Sequence, residues 1–191
     1  LKNVRIGIAL SGGGIRAAVF HLGVLSHLAD QHLLEQVTAL STVSGGTLVA
    51  GLIFSIAGNG WPTSEFFSQE CISAVRDRLT NRHSIQRDLV SSIAWRPWQI
   101  HNRNANYLAD SIRRCWGIQG DLNQLTTAPR WYINATTYET GKNWRFVPHR
   151  SMGDYSIGYV KTSSIELADA MAASAAVPGL IGPYVLDTSQ Y

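Results

Sequence analysis

The stretches VRIGIALSGGGIRAAVFHLGVLSHL (residues 4–28) and VTALSTVSGG (residues 37–46) decide the fold that this sequence predicts. The first begins with an apolar run, Val4 to Leu10, of the kind that forms a buried strand in a parallel sheet. The run stops at Ser11-Gly12-Gly13-Gly14, and the apolar residues then recur at helical spacing from Arg16 to Leu28. This pattern predicts a strand, a tight glycine turn and a helix.

The second stretch repeats the same order of elements. Val37 to Val43 is rich in β-branched residues, which favour a strand. Ser44-Gly45-Gly46 interrupts the run, and the apolar segment from Thr47 to Ala57 predicts a buried helix. Two successive units of strand, turn and helix are typical of an α/β protein with a parallel sheet.

Composition limits the possible classes of protein. The chain has 191 residues, of which 45% are hydrophobic and 15% charged, so it can bury a sizeable core and is not predominantly disordered. A net charge of +3 without a basic cluster does not indicate nucleic-acid binding. The longest apolar stretch, Thr47 to Ala57, is shorter than the roughly 18–20 residues of a membrane span. No signal peptide is visible, although the chain does not begin with Met. Cys71 and Cys115 form no metal pattern and are expected to be free thiols.

The remaining sequence continues a single domain over residues 1–191. Residues 58–130 have weaker patterns and are interpreted as a helical insertion or cap within that domain. The predicted elements are helices at Ser64–Leu79 and Ala105–Trp116, strands at Arg130–Thr137 and Trp144–Pro148 that form a hairpin, a helix at Ser164–Ala175 with Ser164 as its N-cap, and a strand that begins within Pro183–Leu186.

The glycine run Gly12-Gly13-Gly14 permits two kinds of ligand. A turn between strand and helix could hold a dinucleotide. That fingerprint requires an acidic residue at the end of the second strand, where this chain has Ser41-Thr42-Val43-Ser44, and a P-loop requires a Lys that is missing. The alternative is an oxyanion hole, because bare backbone amides beside a helix N-terminus point at one place. A tight turn without any ligand would not require three glycines.

Ser44 occupies the position of a nucleophile elbow, a sharp strand-to-helix turn that lifts a serine oxygen clear of the backbone. Such a turn needs small flanking residues. Gly46 satisfies the downstream position, whereas Thr42 replaces the usual upstream glycine. Ser44 could instead be an ordinary helix N-cap. The glycine loop one unit earlier favours the nucleophile, since the two turns meet at one edge of a parallel sheet.

Through the glycine run and the turn at Ser44, the sequence resembles the patatin-like phospholipases. The resemblance extends over nearly the whole chain and is weakest in residues 58–130. The segments that carry it are Gly12–Arg16, Gly23-Val24-Leu25, Ser41–Gly46, Asn134-Ala135-Thr136 with Thr140-Gly141 and Phe146, and Ala172–Pro178.

The resemblance implies a three-layer αβα hydrolase of lipid acyl esters with a mostly parallel central sheet. It implies a Ser–Asp dyad in which Ser44 is the nucleophile and the amides of Gly12, Gly13 and Gly14 form the oxyanion hole. Arg16 would support that loop, and no metal or other cofactor is expected. The elbow around Ser44 would consist of Thr42, Val43, Gly45 and Gly46.

The aspartate of the dyad is expected in an Asp-Gly pair, which these 191 residues do not contain. We therefore expect this partner beyond Tyr191, with Asp187 as a weaker candidate within the chain. Two alternatives remain open: a transacylase that uses the same site, and an inactive lipid-binding module that has kept the fold.

The expected partners are a phospholipid or another acyl-ester lipid, and no nucleic acid. Trp95 and Trp98 flank Arg96 in a pattern that would also suit peripheral contact with a membrane, although burial under the insertion is the simpler explanation. The six histidines lie in no partner or metal pattern and are expected to be structural or solvated. A cytoplasmic or peripheral membrane location is favoured.

Overall fold

A computed structural model describes residues 4–80, 104–162, 164–177 and 181–187. Its first half follows the predicted order closely. Strand β1 (Ile6–Leu10) leads into helix α1 (Gly14–Asp30), and a short 3₁₀ turn (Leu34–Gln36) precedes strand β2 (Val37–Val43). Helix α2 (Gly45–Ile56) then begins directly after Ser44.

The second half contributes helices and a run of antiparallel strands. Its elements are α3 (Ser64–Phe66), a π-helical segment (Phe67–Cys71), α4 (Ile72–Thr80), α5 (Asn104–Trp116), a 3₁₀ turn (Leu122–Gln124), β3 (Arg130–Thr136), β4 (Asn143–Val147), β5 (Ser151–Asp154), β6 (Gly158–Val160) and α6 (Leu167–Ala175). The predicted hairpin is confirmed as β3 and β4.

The six strands of the described residues form one sheet in the order β1-β2-β3-β4-β5-β6. The three leading strands are parallel, and β4, β5 and β6 add in antiparallel pairs. The two crossovers, through α1 and α2, add each new strand on the same side. Since such crossovers are right-handed, both helices pack on one face of the sheet. The predicted α/β class, a sheet with parallel leading strands flanked by helices, is confirmed.

The register separates the two faces of the sheet. Ile8 pairs with Leu40, and Leu40 with Trp131, so these side chains lie on the helix-covered face and belong to the hydrophobic core or pack against it. The Trp131 ring stacks on Phe54 of α2, with 4.7 Å between ring centroids. Burying apolar surface between α2 and the sheet is the main stabilising contribution here. None of the helices in the described residues is long and apolar enough to cross a bilayer.

The predicted start of one helix and one predicted strand are wrong, and two strands were not predicted. Helix α6 begins at Leu167 and its N-cap is Glu166, not Ser164. The backbone before it is extended because Glu166 forms a β-bridge with Asp121. Residues 183–187 form no strand among the described residues; the amide side chain of Asn106 instead bonds both backbone groups of Val185. Strands β5 and β6 are short, polar or glycine-containing, and lack the alternation that identifies a strand.

Arg113 of α5 fixes the beginning of α6. Its guanidinium donates to the Glu166 carboxylate at 2.5 Å and to Asp169 at 2.6 Å, and it also binds Asp110 on its own helix at 2.9 Å. A planar guanidinium that bonds three carboxylates restrains rotation of the helix on which two of them lie. The last residue of α6, Ala175, lies six residues beyond Asp169, so this network also restrains the far end of the helix.

Asp154 joins the two hairpin turns at the end of β5. Its carboxylate is buried and accepts hydrogen bonds from the hydroxyls of Thr137 and Thr140 and from the amides of Ser156 and Ile157. The Thr137 hydroxyl is the largest cause that lowers the pKa of this carboxyl, which falls to about 2 despite its burial. The charged form is therefore favoured in the folded state.

We predict that this carboxylate makes the fold sensitive to acid. A carboxyl whose folded pKa lies below its unfolded value of about 3.9 stabilises the fold above that value. The contribution is lost as the pH falls towards 2. Urea unfolding of the wild type at several pH values between 2 and 6 should show this decline, and Asp154→Asn should be less stable at pH 6. If the two proteins lose stability in parallel across this range, Asp154 does not cause the acid sensitivity.

Candidate active site

The two turns singled out in the sequence meet at the carboxyl ends of β1 and β2. Leu10 pairs with Thr42 in the parallel register, so Ser11 and the glycine run emerge beside Val43 and Ser44. A Cβ placed on Gly12 would lie 3.2 Å from the Cβ of Ser44. The glycine loop therefore lies directly against the serine, and any larger residue at position 12 would crowd it.

Ser44 has the backbone of a nucleophile elbow. Its φ of 52° and ψ of −120° fall in a region that residues other than glycine rarely adopt. Ser44 occupies the N-cap position of α2, yet its hydroxyl makes no capping hydrogen bond within that fully described helix. An ordinary N-cap serine uses its oxygen for this purpose and has extended backbone angles. The strained backbone and the lack of a capping bond from this hydroxyl argue against a simple capping role.

Gly45 and Gly46 make the sharp turn possible. A Cβ on Gly45 would lie 2.1 Å from the carbonyl oxygen of Gly14, and one on Gly46 would lie 2.4 Å from that of Leu10. Both distances are shorter than any real contact of a Cβ, and the opposing atoms belong to the backbone. Helix α2 can approach β1 and the glycine loop this closely only because both positions are glycine.

The N-termini of α1 and α2 lie side by side as a result. Helix α1 begins at Gly14 and α2 at Gly45, and the first amides of each helix have no partner within the helix. Their first turns, residues 14–17 and 45–48, contain no acidic residue, so neither helix supplies a carboxylate to its own positive end. Two helix dipoles that converge beside Ser44 favour a negative charge at this point.

The loop before α1 has glycine-specific geometry. Gly13 has a φ of 139° and Gly14 a φ of 64°, and both residues are exposed. Side chains would be strained at either position, so this backbone requires glycine. His21, buried on α1, contacts the carbonyl of Ser11 through Nε2 at 3.0 Å and its hydroxyl at 3.3 Å. The histidine thereby anchors the start of the loop.

A chain of buried hydroxyls runs beneath the elbow. The Trp131 Nε1 donates to Thr42 Oγ1 at 2.9 Å, and Thr42 Oγ1 lies 2.8 Å from Thr47 Oγ1. Thr47 Oγ1 lies 2.8 Å from the Oγ of Ser174, which donates to the carbonyl of Asn134 at 2.7 Å. The Ser44 amide donates to the Oγ of Ser174 at 3.0 Å and to its carbonyl at 3.2 Å. These contacts link β2, α2, β3 and α6.

The structure brings together most of the predicted site residues. Gly12 to Gly14, Thr42, Val43, Gly45 and Gly46 all lie at this junction. The Arg16 side chain is exposed and forms no hydrogen bond or ion pair with another described residue, so its supporting role stays a prediction. Asp187 is exposed at the end of a described segment. Trp95 and Trp98 lie outside the described residues.

Sequence reasoning gave no role to Thr47, Trp131, Ser174 or His21. For Thr47 and Ser174, the available signal in the sequence was a hydroxyl within an otherwise apolar or small-residue helix, since a buried polar group must find a partner. Which partner it finds depends on the tertiary structure, because Ser44 and Ser174 are 130 positions apart.

The fold and the site together define an α/β protein with a serine on a strained strand-to-helix turn beside a glycine loop. The sequence model of the family described as "Patatin-like phospholipase" matches residues 8–191. The chain belongs to the patatin-like phospholipase family.

Relatives in fungi support the assignment. The chain is 27% identical over 188 residues to a patatin-like phospholipase domain-containing protein of Yarrowia lipolytica, covering 94% of this chain and 19% of the relative. It is 30% identical over 193 residues to a protein with the same description from Aspergillus oryzae, covering 97% and 23%. The chain thus spans about a fifth of the curated relatives that it matches.

Solved structures show the same fold. Human GIVD cytosolic phospholipase A2, determined in complex with methyl gamma-linolenyl fluorophosphonate and terbium chloride, superposes with a TM-score of 0.62 at 18% identity. The superposition covers 87% of this chain and 29% of that one. A second structure of the same human protein gives a TM-score of 0.52 at 20% identity, covering 81% and 23%.

The close approach of the backbones predicts which glycines are indispensable. Gly45→Ala and Gly46→Ala should each destabilise the protein by about 1–3 kcal/mol or more, because the backbone must shift to admit a Cβ. Gly23→Ala is the matched control, since a Cβ there meets no described atom within 4 Å. In a helix this control should be neutral or stabilising by up to about 1 kcal/mol. Chemical unfolding curves test both; tolerance of alanine at position 45 would contradict the described turn.

Proposed function

We propose that this protein is a lipid acyl hydrolase of the phospholipase type, with Ser44 as its nucleophile. The observation that carries the proposal is the strained backbone of Ser44, whose hydroxyl does not cap its own helix and lies against an exposed glycine loop. Strain in a non-glycine residue is usually retained where function needs the geometry. Membership of the family supports an ester of a lipid as the substrate.

In the first step, the Ser44 oxygen attacks the ester carbonyl carbon while its proton passes to a carboxylate base. A new bond forms between Oγ and carbon, and the carbonyl electron pair moves to oxygen as an oxyanion. When the oxyanion collapses, the bond to the alcohol portion of the lipid breaks. The protonated base returns the proton to that leaving oxygen, so the acyl group remains on Ser44.

The backbone amides at Gly12, Gly13 and Gly14 are the proposed donors to the oxyanion. These amides lie at the N-terminus of α1, and the dipole of this helix adds to that of α2 beside the serine. Losing one donor of this kind typically lowers the rate about 10²–10³-fold. The amides are fixed by the backbone before substrate arrives, so they need no rearrangement during the reaction.

Water then attacks the acyl carbon of the acyl-enzyme while its proton passes to the same carboxylate. The bond between that carbon and Ser44 Oγ breaks, the carboxylate returns the proton to Oγ, and a fatty acid is released. If an alcohol took the place of water, the product would be a new ester, as in a transacylase. The related human cytosolic phospholipase A2 was determined with a fluorophosphonate, and we propose that the same reagent class reacts with Ser44. A fluorophosphonate forms an O–P bond to an activated serine and releases fluoride, so it reports the nucleophile without the lipid specificity.

We predict that the natural gene product is labelled by a fluorophosphonate, with a mass increase that maps to Ser44. Ser44→Ala should abolish the label and lower the release of fatty acid from phospholipid vesicles by roughly a thousandfold or more. Intact-mass measurement and peptide mapping provide the readout. Labelling that persists in Ser44→Ala would move the nucleophile elsewhere. A folded wild type that neither labels nor releases fatty acid would instead favour a lipid-binding module.

The identity of the base gives a second prediction. The family resemblance puts the partner in an Asp-Gly pair, and the 191 residues contain none. We therefore propose an aspartate outside this sequence and expect Asp187→Asn to be labelled at close to the wild-type rate. A loss comparable to that of Ser44→Ala, in a variant whose unfolding curve matches the wild type, would make Asp187 the base instead.

A further inference from the structure

We infer that Ser174, at the end of α6, is a positioning residue that holds the Ser44 backbone in its reactive conformation. The inference rests on the proposed role of Ser44 as nucleophile. Ser174 is 5% exposed, and its hydroxyl accepts from the Ser44 amide at 3.0 Å. Its carbonyl accepts from the same amide at 3.2 Å. Ser174 lies far from Ser44 in the sequence, yet two of its oxygens accept hydrogen bonds from the Ser44 amide.

The donor and acceptor role of each hydroxyl follows from the groups at the two ends of the hydroxyl chain. A hydroxyl has one proton to donate and two lone pairs that accept. The Ser174 proton goes to the Asn134 carbonyl, which can only accept. Thr47 must therefore donate to Ser174, and Thr42 to Thr47, while Trp131 donates to Thr42. Every hydroxyl in the chain has a single consistent role.

This order leaves the Ser174 oxygen fully used. It donates once, to Asn134, and accepts twice, from Thr47 and from the Ser44 amide. The oxygen cannot turn away from Ser44 without leaving a buried group unsatisfied, which costs about 1–3 kcal/mol. Ser174 thereby opposes relaxation of the strained φ of Ser44.

A second consequence concerns the oxyanion. Because the Ser44 amide is bonded to Ser174, it is not directed at the carbonyl of a bound ester. The donors must then come from the glycine loop and from the solvent-accessible first turn of α1. Ser174 thus separates two functions of adjacent amides: one fixes the nucleophile, and the others face the substrate.

A purely structural role for the chain would look different. The hydrogen bond between Thr42 and Thr47 is sufficient to join β2 to α2, and the hydrogen bond from Trp131 to Thr42 adds β3. Neither Thr47 nor Trp131 has a described hydrogen bond to Ser44, whereas Ser174 does. Removing the Ser174 hydroxyl should therefore affect chemistry, and removing the Thr47 hydroxyl should mainly affect stability.

The test compares Ser174→Ala with Thr47→Val in the natural gene product, using a short soluble ester. Ser174→Ala should lower kcat by at least about tenfold, because small misplacements of a reacting group are costly. Its KM should stay within about twofold, since the substrate contacts remain. Thr47→Val deletes a buried hydroxyl from the same chain but leaves the Ser44–Ser174 bond, so its kcat should stay within about threefold of the wild type.

Amide hydrogen exchange of Ser44, followed by NMR, provides a readout that does not need activity. Exchange should be faster in Ser174→Ala than in the wild type, and unchanged in Thr47→Val relative to other α2 amides. Equal losses of kcat in the two variants, or an unchanged Ser44 exchange rate in folded Ser174→Ala, would overturn the inference. If the two variants show the expected exchange rates but the wild type is not labelled by a fluorophosphonate, the proposed function is refuted instead.

Discussion

The close contact between the backbones of Gly14 and Gly45 is the constraint on which the rest of this structure depends. A side chain on Gly45 would collide with the Gly14 carbonyl at 2.1 Å, so the starts of α1 and α2 can meet only without one. That contact puts two helix N-termini beside the same serine. It also fixes how closely α2 approaches β1, where Gly46 lies against the Leu10 carbonyl. The geometry of this candidate site follows from packing of the backbone.

The chain of hydroxyl hydrogen bonds beneath Ser44 further restrains the elements that meet at this contact. Helix α2 is otherwise buried and apolar, and a fully buried Thr47 would be unfavourable there without partners. Its partners come from β2 and α6, so one set of hydrogen bonds connects the strand before Ser44, the helix after it and the element that accepts its amide. Arg113 restrains the other end of α6. The position of Ser174 is thus determined from both ends of its helix.

The sequence was sufficient where the information is local. Strand, glycine turn and helix could be predicted for residues 4–57 because apolar periodicity and glycine position identify each element. The adjacency of Gly12 and Ser44 followed from parallel topology. The role of Ser174 could not be predicted, since it arises from a contact across 130 positions. Strands β5 and β6 were missed because hydrogen bonds to Asp154, the pairing of β5 with β4 and the pairing of β6 with β5 hold them, rather than side-chain alternation.

Asp154 and the proposed base of Ser44 are expected to have separate tasks, because the pKa of Asp154 is lowered whereas a general base works best with a raised pKa. Asp154, whose turn lies at the same edge of the sheet as Ser44, has its pKa lowered to about 2 by donors that favour its charged form. A base that must accept a proton from serine and return it works best with a pKa raised by burial. The amides beside Ser44 do not titrate at all. Activity lost on acidification, at a pH where the fold persists, would therefore report the base, and the later loss of the fold would include the titration of Asp154.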